Sequence, residues 1–552
     1  MIAKSPLSPA QERKSLARVL GALALCSIFA LALAWVTNLG KEASLETSFT
    51  AEAEPAFTDA AADEPRNDAG QAPGANSGGA IRPPLTPRAG PHRVRPPAAA
   101  GTFYPEPAEE LSRAVDRLLR SGPRLGLRGV RAVLVPHAGY VYSGMVAAAS
   151  FREVDPGFRR VFLLAANHNG DAHFDGASLP DESHYAIPGA EIPLSPVVDE
   201  LAKDDLFVSV PAAHTMHMIE VELPFLTALR GRPAPTDFEI IPIVVGRMDW
   251  TRTRRLAALL ERYDDPATLF VFSVDLSHFH PDAEARKLDE YSIQSLLALD
   301  ENALDDAETD GDQVLQTLAA LADRRGWEPS FLAYRNSADA GGDKDRVVGY
   351  AAIAFHAPFD PTEEERRTLL ALARTTIEEF VSRGSRYQAP AEILGRWPIL
   401  RLRRCVFVTL TKRGVLRGCI GGLTEPKPLW LGVRDAAIGA ATEDPRFPAV
   451  RPEEIADLSI EISILTQPRR IRVEDPERYP EVLRPGQDGV ILEVGSGRST
   501  FLPTVWRQIP QPEEFLRQLC RKQGAEPDAW RSTAAVLHRY GTCAFGEAPE
   551  GR

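Results

Sequence analysis

Apolar and polar positions along residues 98–358 follow a pattern that predicts strands and helices in turn. Short apolar runs lie at 132–135, 161–165, 239–245, 269–274 and 347–355. Stretches with apolar residues at helical spacing lie at 107–120, 219–229, 251–263 and 282–299. In the first of these, Leu111, Val115 and Leu118 fall on one helical face. This alternation favours an α/β domain with a largely parallel sheet.

A second folded region is predicted at 360–548, where the elements follow a different order. An amphipathic helix at 361–380 comes first. Strand candidates follow at 405–411, 458–465 and 489–494, and helices are predicted at 428–440 and 512–522. This mixed order is typical of an α+β domain.

The first 40 residues contain an apolar run at 19–37 that follows Arg13, Lys14 and Arg18. The run approaches the roughly 20 residues that cross a bilayer, and a basic flank is typical of the cytoplasmic side. We therefore expect a transmembrane signal anchor at 1–40, with the folded domains membrane-anchored on the periplasmic or extracytoplasmic side. A cleaved signal peptide is the alternative. The Pro- and Ala-rich composition of residues 41–97 predicts a disordered linker.

Composition and charge exclude several classes of protein. The 552 residues carry a formal net charge of −13, which gives no electrostatic reason to bind nucleic acid. Five cysteines in this length exclude a disulfide-dense scaffold. No other apolar run is long enough to cross a bilayer, which excludes a polytopic membrane protein.

Histidines are concentrated in the first folded region, where eight of the 11 lie between His137 and His280. His137, His168 and His278 each follow a predicted strand closely. Because ligands bind beyond the carboxyl ends of strands in open α/β sheets, these three imidazoles are expected to converge on one crevice. Imidazole is a common metal ligand and is suited to proton transfer near neutral pH. The pattern therefore predicts a metal or acid–base site in this crevice.

Six short motifs occur in order along the same region. They are AGTFYP at 100–105, PHAGY at 136–140, NH at 167–168, HMIEVELPF at 217–225, DLSHF at 275–279 and NSAD at 336–339. Together they resemble the Memo family, whose fold is similar to that of the class III extradiol dioxygenases of the LigB type. The resemblance implies a non-haem metal site in an α/β domain at 98–358.

The same resemblance implies that His137 and His168 bind the metal together with a third ligand near Asp339. The eukaryotic relative offers a Cys as this ligand, whereas residues 98–358 contain no Cys. Asp339 occupies about that position, and Glu220 or Glu222 is the alternative carboxylate. Two His and one carboxylate with open positions suit Fe(II) best, and copper and zinc are the alternatives.

Further residues are expected around the metal. The resemblance implies that Asp275 and His278 flank it and that His217 lies in the pocket. In a catalytic site His278 would move protons and Asp275 would orient it. Tyr140 is expected to line the substrate pocket, as is Glu220 if it is not a ligand.

The second region carries LRGCIG at 416–421, DPRFP at 444–448, EISIL at 461–465 and FLPTVW at 501–506. These motifs resemble the AMMECR domain. Arg417, Gly418 and Cys419 form the most distinctive motif. A cation beside Cys419 could favour a reactive thiolate, and a small buried residue in a Gly-flanked turn is the competing interpretation.

The fused pair resembles components B and A of the bacterial AmmeMemoRadiSam system. That resemblance implies a radical SAM protein as a partner, although such enzymes work in the reducing cytoplasm and the predicted anchor points outward. We expect a metal-binding protein with iron-dependent, dioxygenase-like redox activity on a small molecule, and the sequence leaves open whether it is an enzyme. The alternatives are a non-catalytic scaffold that grips a peptide or small ligand, and an iron or copper chaperone.

Overall fold

The computed structural model describes residues 90–231, 237–423 and 426–547. The first domain includes residues ahead of its expected start at 98, because Val94–Arg95 already forms a strand. The strands of this domain are β1 (Val94–Arg95), β2 (Val130–Val135), β3 (Arg160–Ala166), β4 (Ala177–Ser178), β5 (His184–Ile187), β6 (Ala190–Pro193), β7 (Phe207–Val208), β8 (Glu239–Val245), β9 (Thr268–Ser273), β10 (His278–His280), β11 (Glu328–Asn336) and β12 (Val347–His356). Its α-helices are α1 (Ala108–Arg120), α2 (Tyr140–Phe151), α3 (Val197–Leu201), α4 (Leu223–Leu229), α5 (Trp250–Glu261), α6 (Asp282–Leu297), α7 (Glu301–Leu304) and α8 (Asp312–Arg325).

A mixed sheet of nine strands, counted within the described residues, forms the centre of this domain. Its order is β10-β12-β2-β9-β3-β8-β4-β7, and β11 pairs with β12. Strands β2, β9, β3 and β8 are mutually parallel, whereas β10, β11 and β12 run antiparallel to their neighbours. All seven residues of β8 are buried, as expected for a continuous apolar strand covered on both faces. The carboxyl ends of β2, β9 and β3 therefore lie side by side.

The second domain is built from small antiparallel sheets and helices. Its strands are β13 (Arg403–Arg404), β14 (Val406–Lys412), β15 (Val415–Gly421), β16 (Lys427–Pro428), β17 (Leu458–Leu465), β18 (Arg469–Ile471), β19 (Gly489–Val494), β20 (Gly497–Phe501), β21 (Val536–Tyr540) and β22 (Thr542–Gly546). Its α-helices are α9 (Glu363–Arg383), α10 (Ala391–Arg396), α11 (Leu429–Thr442), α12 (Tyr479–Val482) and α13 (Pro512–Lys522). Two four-stranded sheets have the orders β15-β14-β17-β22 and β18-β21-β19-β20.

Helix α9 opens the second domain with clear local signals at both ends. Thr362 and Glu365 form a capping box at its start, which satisfies backbone N–H groups that a helix leaves unpaired. Gly384 ends the helix in the left-handed conformation, which glycine adopts without steric cost. The helix packs against α11, and α11 packs against β14 and β15.

The two domains are continuous in their apolar interior. A single core cluster contains Phe355 from the end of the first domain together with Leu369 and Val406 from the second. A buried ion pair crosses the same junction, where Arg404 Nη2 lies 3.2 Å from Glu328 Oε2.

Two predictions about the membrane are corrected. Within the residues that the structure describes, no helix is long and apolar enough to cross a bilayer. For the described residues, this finding contradicts the predicted transmembrane helix in the fold and the membrane-anchored localisation derived from it. The predicted anchor at 1–40 and the linker up to residue 89 lie outside the described residues.

Candidate metal centre

Three polar side chains meet at the carboxyl edge of the central sheet. His137 follows β2 by two residues and His168 follows β3 by two residues. Asp310 comes from the loop between α7 and α8, and no motif or periodic pattern of the sequence points to it. This loop is fixed against the segment after β9, because Asp275 N donates to Asp310 Oδ1 at 3.0 Å and Asp310 N donates to Asp275 O at 3.2 Å.

The ligand atoms of these residues form a nearly equilateral triangle. His137 Nε2 lies 3.2 Å from His168 Nε2. Asp310 Oδ2 lies 2.9 Å from His137 Nε2 and 3.1 Å from His168 Nε2. Two ligands bonded at right angles to one ion at about 2.1 Å are about 3.0 Å apart. The observed separations therefore fit three ligands on one face of a metal ion.

Hydrogen bonds orient both imidazoles toward the centre of the triangle. His137 Nδ1 lies 3.0 Å from Ser273 Oγ, whose hydroxyl is itself within 2.9 Å of Glu222 Oε1. His168 Nδ1 lies 3.2 Å from the carbonyl oxygen of Ala166. A proton on each Nδ1 leaves the Nε2 lone pair free for a metal.

The charges of the site favour a cation between the imidazoles. Burial would lower the pKa of His137, but Asp310 and Asp275 outweigh it and raise this pKa to about 9. Burial would raise the pKa of Asp310, yet His137 and His168 hold it well below its usual range. The site thus stabilises positive charge, whether a proton or a metal ion carries it.

His217, which the sequence predicts as a pocket residue, lies beside the triangle. Its ring stacks on Phe103 with centroids 4.0 Å apart and lies 5.5 Å from the ring of His137. Burial, followed by the neighbouring imidazoles, lowers the pKa of His217 to about 3. His217 is therefore uncharged at neutral pH.

Asp275 and His278 flank the triangle. Asp275 Oδ1 accepts a hydrogen bond of 2.8 Å from the backbone N–H of His137, which ties the loop after β9 to the loop after β2. His278 begins β10 and is half-buried. Their predicted roles in proton transfer stay predictions.

Asp339 does not belong to this cluster, and its assignment as third ligand is corrected. Its Oδ2 accepts a hydrogen bond of 3.0 Å from Asn336 N, which caps the short 3-10 helix that follows β11. Its Oδ1 accepts from Arg286 at 2.7 Å. Among the described residues, the groups of ligand atoms close enough to share an ion do not include Asp339, whereas Asp310 occupies the third corner of the triangle.

Two residues predicted for the substrate pocket have structural contacts instead. The Glu220 carboxylate is fully buried, pairs with Arg95 at 2.5 Å and accepts from the hydroxyl of Tyr104 and from two backbone N–H groups. It anchors the segment around β1. Tyr140 donates its hydroxyl proton to Val221 O at 2.7 Å and packs near Phe225.

Glu222, the other carboxylate considered, lies beneath the triangle rather than at one of its corners. Its Oε1 contacts Ser273, and burial raises the pKa of Glu222 to about 8. A protonated Glu222 supports the hydroxyl that orients His137.

The motif at 417–419, on β15, contacts α11 and the segment that follows it in the second domain. Arg417 pairs with Glu454 at 3.0 Å and donates to Pro448 O at 2.8 Å. Gly418 lies against the carbonyl oxygen of Ala440 on α11, and the N–H of Cys419 donates to Asp444 at 2.8 Å. The half-buried Cys419 thiol accepts from Thr409 Oγ1 at 3.3 Å. These contacts favour the structural interpretation of the motif.

Comparisons with known proteins agree with this organisation. The model of the family described as Memo-like protein matches residues 95–354, and the AMMECR1 model matches residues 370–545. A protein of Methanothermobacter thermautotrophicus is 42% identical over 187 residues, which are 34% of this chain and 96% of that protein. A protein of Methanosarcina mazei is 38% identical over 191 residues, again 34% of this chain and 96% of that protein.

A solved structure is also similar in sequence. The crystal structure of an uncharacterized protein from Pyrococcus horikoshii is 36% identical and covers 34% of this chain and 94% of its own, with a TM-score of 0.32. The two family models confirm the predicted fusion: this chain belongs to the Memo-like and AMMECR1 families, with a Memo-like domain followed by an AMMECR1 domain.

Proposed function

We propose that the Memo-like domain binds a divalent metal ion through His137, His168 and Asp310, and that it uses Fe(II) for redox chemistry on a small molecule. The observation that carries the proposal is the triangle of two imidazole nitrogens and one carboxylate oxygen with sides of 2.9–3.2 Å. Three ligands on one face leave the opposite face for substrate and oxygen, and two His with one carboxylate suit non-haem Fe(II). Cu(I) prefers thiolate and thioether ligands, and none of the three residues of the triangle offers a sulfur atom.

The bound ion would supply Lewis acidity and electron transfer, and the protein would supply orientation and a protected pocket. His217 is uncharged at neutral pH and its ring lies 5.5 Å from that of His137, so it would offer a neutral hydrogen-bonding group to a substrate bound beside the ion. Phe103, stacked on His217, would give the substrate pocket an apolar wall. Ser273 and the backbone of Ala166 hold the two ligand imidazoles in place.

The proposal is tested on the full chain loaded anaerobically with Fe(II). We expect at least one tightly bound iron per chain and oxygen consumption when substrate candidates are added. His168→Ala and Asp310→Asn should weaken iron binding by more than about 100-fold, beyond the 10–100-fold typical of residues that only support a ligand. His173→Ala is the matched control, because His173 is exposed and lies five residues from His168.

Asp339→Asn separates the two candidate third ligands and should leave iron binding unchanged. A chain that binds no iron would contradict the whole proposal. Iron binding without oxygen consumption under any redox condition would contradict the redox part and favour a role in metal storage or transfer.

A further inference from the structure

We infer that Asp275, His278 and Asp310 form a second metal position beside the first, with Asp310 as the ligand that both ions share. This inference rests on the proposed function, because it places the second ion next to the His137 and His168 site. It assigns to Asp275 and His278 a ligand role in place of the proton transfer predicted from the sequence.

The geometry of the three side chains suits a metal ion. One ligand atom from each of Asp275, His278 and Asp310 lies within 4.8 Å of the other two. Two ligands of one ion, with bonds of about 2.1–2.4 Å, are at most about 4.2–4.8 Å apart, so the three side chains are close enough to share one ion. The same Asp310 side chain is the third corner of the first triangle. Asp310 Oδ1 accepts a hydrogen bond from Asp275 N at 3.0 Å and keeps a second lone pair for an ion. The two oxygens of Asp310 can therefore bridge two ions, which lie about 3.5–4 Å apart in two-metal sites.

His278 is oriented in the same way as the two imidazoles of the first site. Its Nδ1 lies 2.8 Å from the carbonyl oxygen of Leu276. A proton on Nδ1 then donates to this oxygen, and the Nε2 lone pair is left for another partner. All three imidazoles around Asp310 therefore use Nδ1 for a contact within the protein.

The backbone next to His278 is held in an unfavourable conformation. Phe279 has a φ of 63° although it is a bulky residue, and this left-handed conformation is sterically unfavourable for such a side chain. Its side chain is 62% exposed, so burial does not offset that cost. The pairing of β10 with β12 shifts register between His278 and His280, and such bulges re-aim a side chain beside functional sites. The backbone strain at Phe279 is explained if this conformation directs the side chain of His278 toward Asp310.

Neither of the two carboxylates is paired with a Lys or Arg side chain in the described part of the chain. Asp275 is 4% exposed, and the side chain of Asp310 is 13% exposed. Among the described residues no Lys or Arg nitrogen lies within 4.0 Å of either one, and their partners are imidazoles and backbone N–H groups. Buried carboxylates are ordinarily paired with a cation or bound to a metal. Two adjacent acids and three imidazoles thus supply nitrogen and oxygen ligands for two divalent ions.

Titration of the full chain with Mn²⁺ tests the inference, because the signal of free Mn²⁺ in electron paramagnetic resonance counts bound ions at equilibrium. We expect two ions per wild-type chain, with a spin-coupled spectrum at saturation. His278→Ala and Asp275→Asn should each bind one ion and lose the coupled spectrum. His280→Gln is the matched control on the same strand, because the amide can still donate to Glu308, which His280 Nε2 contacts at 2.5 Å. This variant should bind two ions.

The outcomes distinguish the inference from the proposed function. One ion in both the wild type and His278→Ala would overturn the second position and leave the first intact. No bound ion in the wild type would overturn both. A loss in His280→Gln equal to that in His278→Ala would also overturn the inference, because the loss would then come from disturbance of β10 and not from a missing ligand.

Discussion

Asp310 reaches the candidate site although the local sequence gives no signal for it. Asp339 lies in the motif that resembles the family's third-ligand segment, and its oxygens are used by Asn336 and Arg286. Asp310 lies 35 residues after Asp275 in a loop rich in acids, where it is typical of a residue that precedes a helix. Only the folding of this loop onto the end of β9 brings its carboxylate to His137 and His168. Histidines at strand ends are predictable from local patterns, whereas a ligand delivered by a distant loop is not.

His214 illustrates a different residue-level effect, the burial of an uncharged imidazole. Its ring contacts Ser178 and the hydroxyl of Tyr185, and burial, followed by the charge of Arg95, lowers the pKa of His214 to about 3. In the unfolded chain the pKa is about 6.5. Between these values the unfolded chain binds a proton that the folded chain does not, so the free energy of unfolding falls as the pH drops from 6.5 toward 3.

We therefore expect His214 to contribute a loss of about 1.4 kcal/mol in the free energy of unfolding for each pH unit below 6.5. His214→Gln, which keeps polar atoms at this position, should show a shallower dependence on pH between 6.5 and 4.5. Urea unfolding at several pH values measures both slopes. Parallel curves for the wild type and the variant would show that His214 does not titrate differently in the two states.

At the scale of elements, apolar runs predict the central strands well. Strand β8 spans Glu239–Val245 as predicted, and β2 and β3 differ from their predictions by one or two residues at their ends. The helix predicted at 219–229 begins later, at Leu223, after a 3-10 turn at Glu220–Glu222. The fully buried Glu220 in that turn binds Arg95, more than 100 residues earlier. Local periodicity carries no information about that contact.

The pairing of β15 with α11 depends on the absence of a side chain at Gly418. A Cβ there would lie 2.0 Å from the carbonyl oxygen of Ala440, which is part of the backbone of α11 and cannot rotate away. Gly418→Ala should therefore push the helix from the strand and lower the free energy of unfolding by about 3 kcal/mol or more. Thermal and urea unfolding of the full chain measure the effect.

Gly422 offers a control four residues away, since no atom lies within 4 Å of a Cβ built there. Gly422→Ala should change stability by no more than about 0.5 kcal/mol. If the two substitutions were equally mild, the contact between β15 and α11 would be looser than the structure indicates, and the glycine in this motif would need another explanation.

At the scale of the whole molecule, the two domains behave as one folded body at their junction. Their apolar residues belong to one core cluster, and Arg128 of the first domain pairs with Glu365 of α9 at 2.9 Å. The family models divide the chain between residues 354 and 370, so sequence motifs locate the boundary. They do not reveal that the boundary is packed, because each motif belongs to one domain and the junction is formed by side chains outside the motifs.

The buried pair of Arg404 and Glu328 is the most sensitive point of that junction. Arg404 is 2% exposed and also lies 3.4 Å from Ser330 Oγ, so Arg404→Met leaves Glu328 as a buried carboxylate without its cation. Removing one member of such a pair costs about 3–5 kcal/mol, and we expect a loss of this size in the free energy of unfolding. The double variant Arg404→Met with Glu328→Gln should recover part of it, because no unpaired charge then stays buried.

Arg367→Met is the matched control, because it breaks an exposed ion pair with Glu363. The side chains of Arg367 and Glu363 are 73% and 65% exposed, so this variant should lower the free energy of unfolding by less than about 1 kcal/mol. Equal losses for Arg404→Met and Arg367→Met in urea unfolding would show that the domains fold independently of this contact.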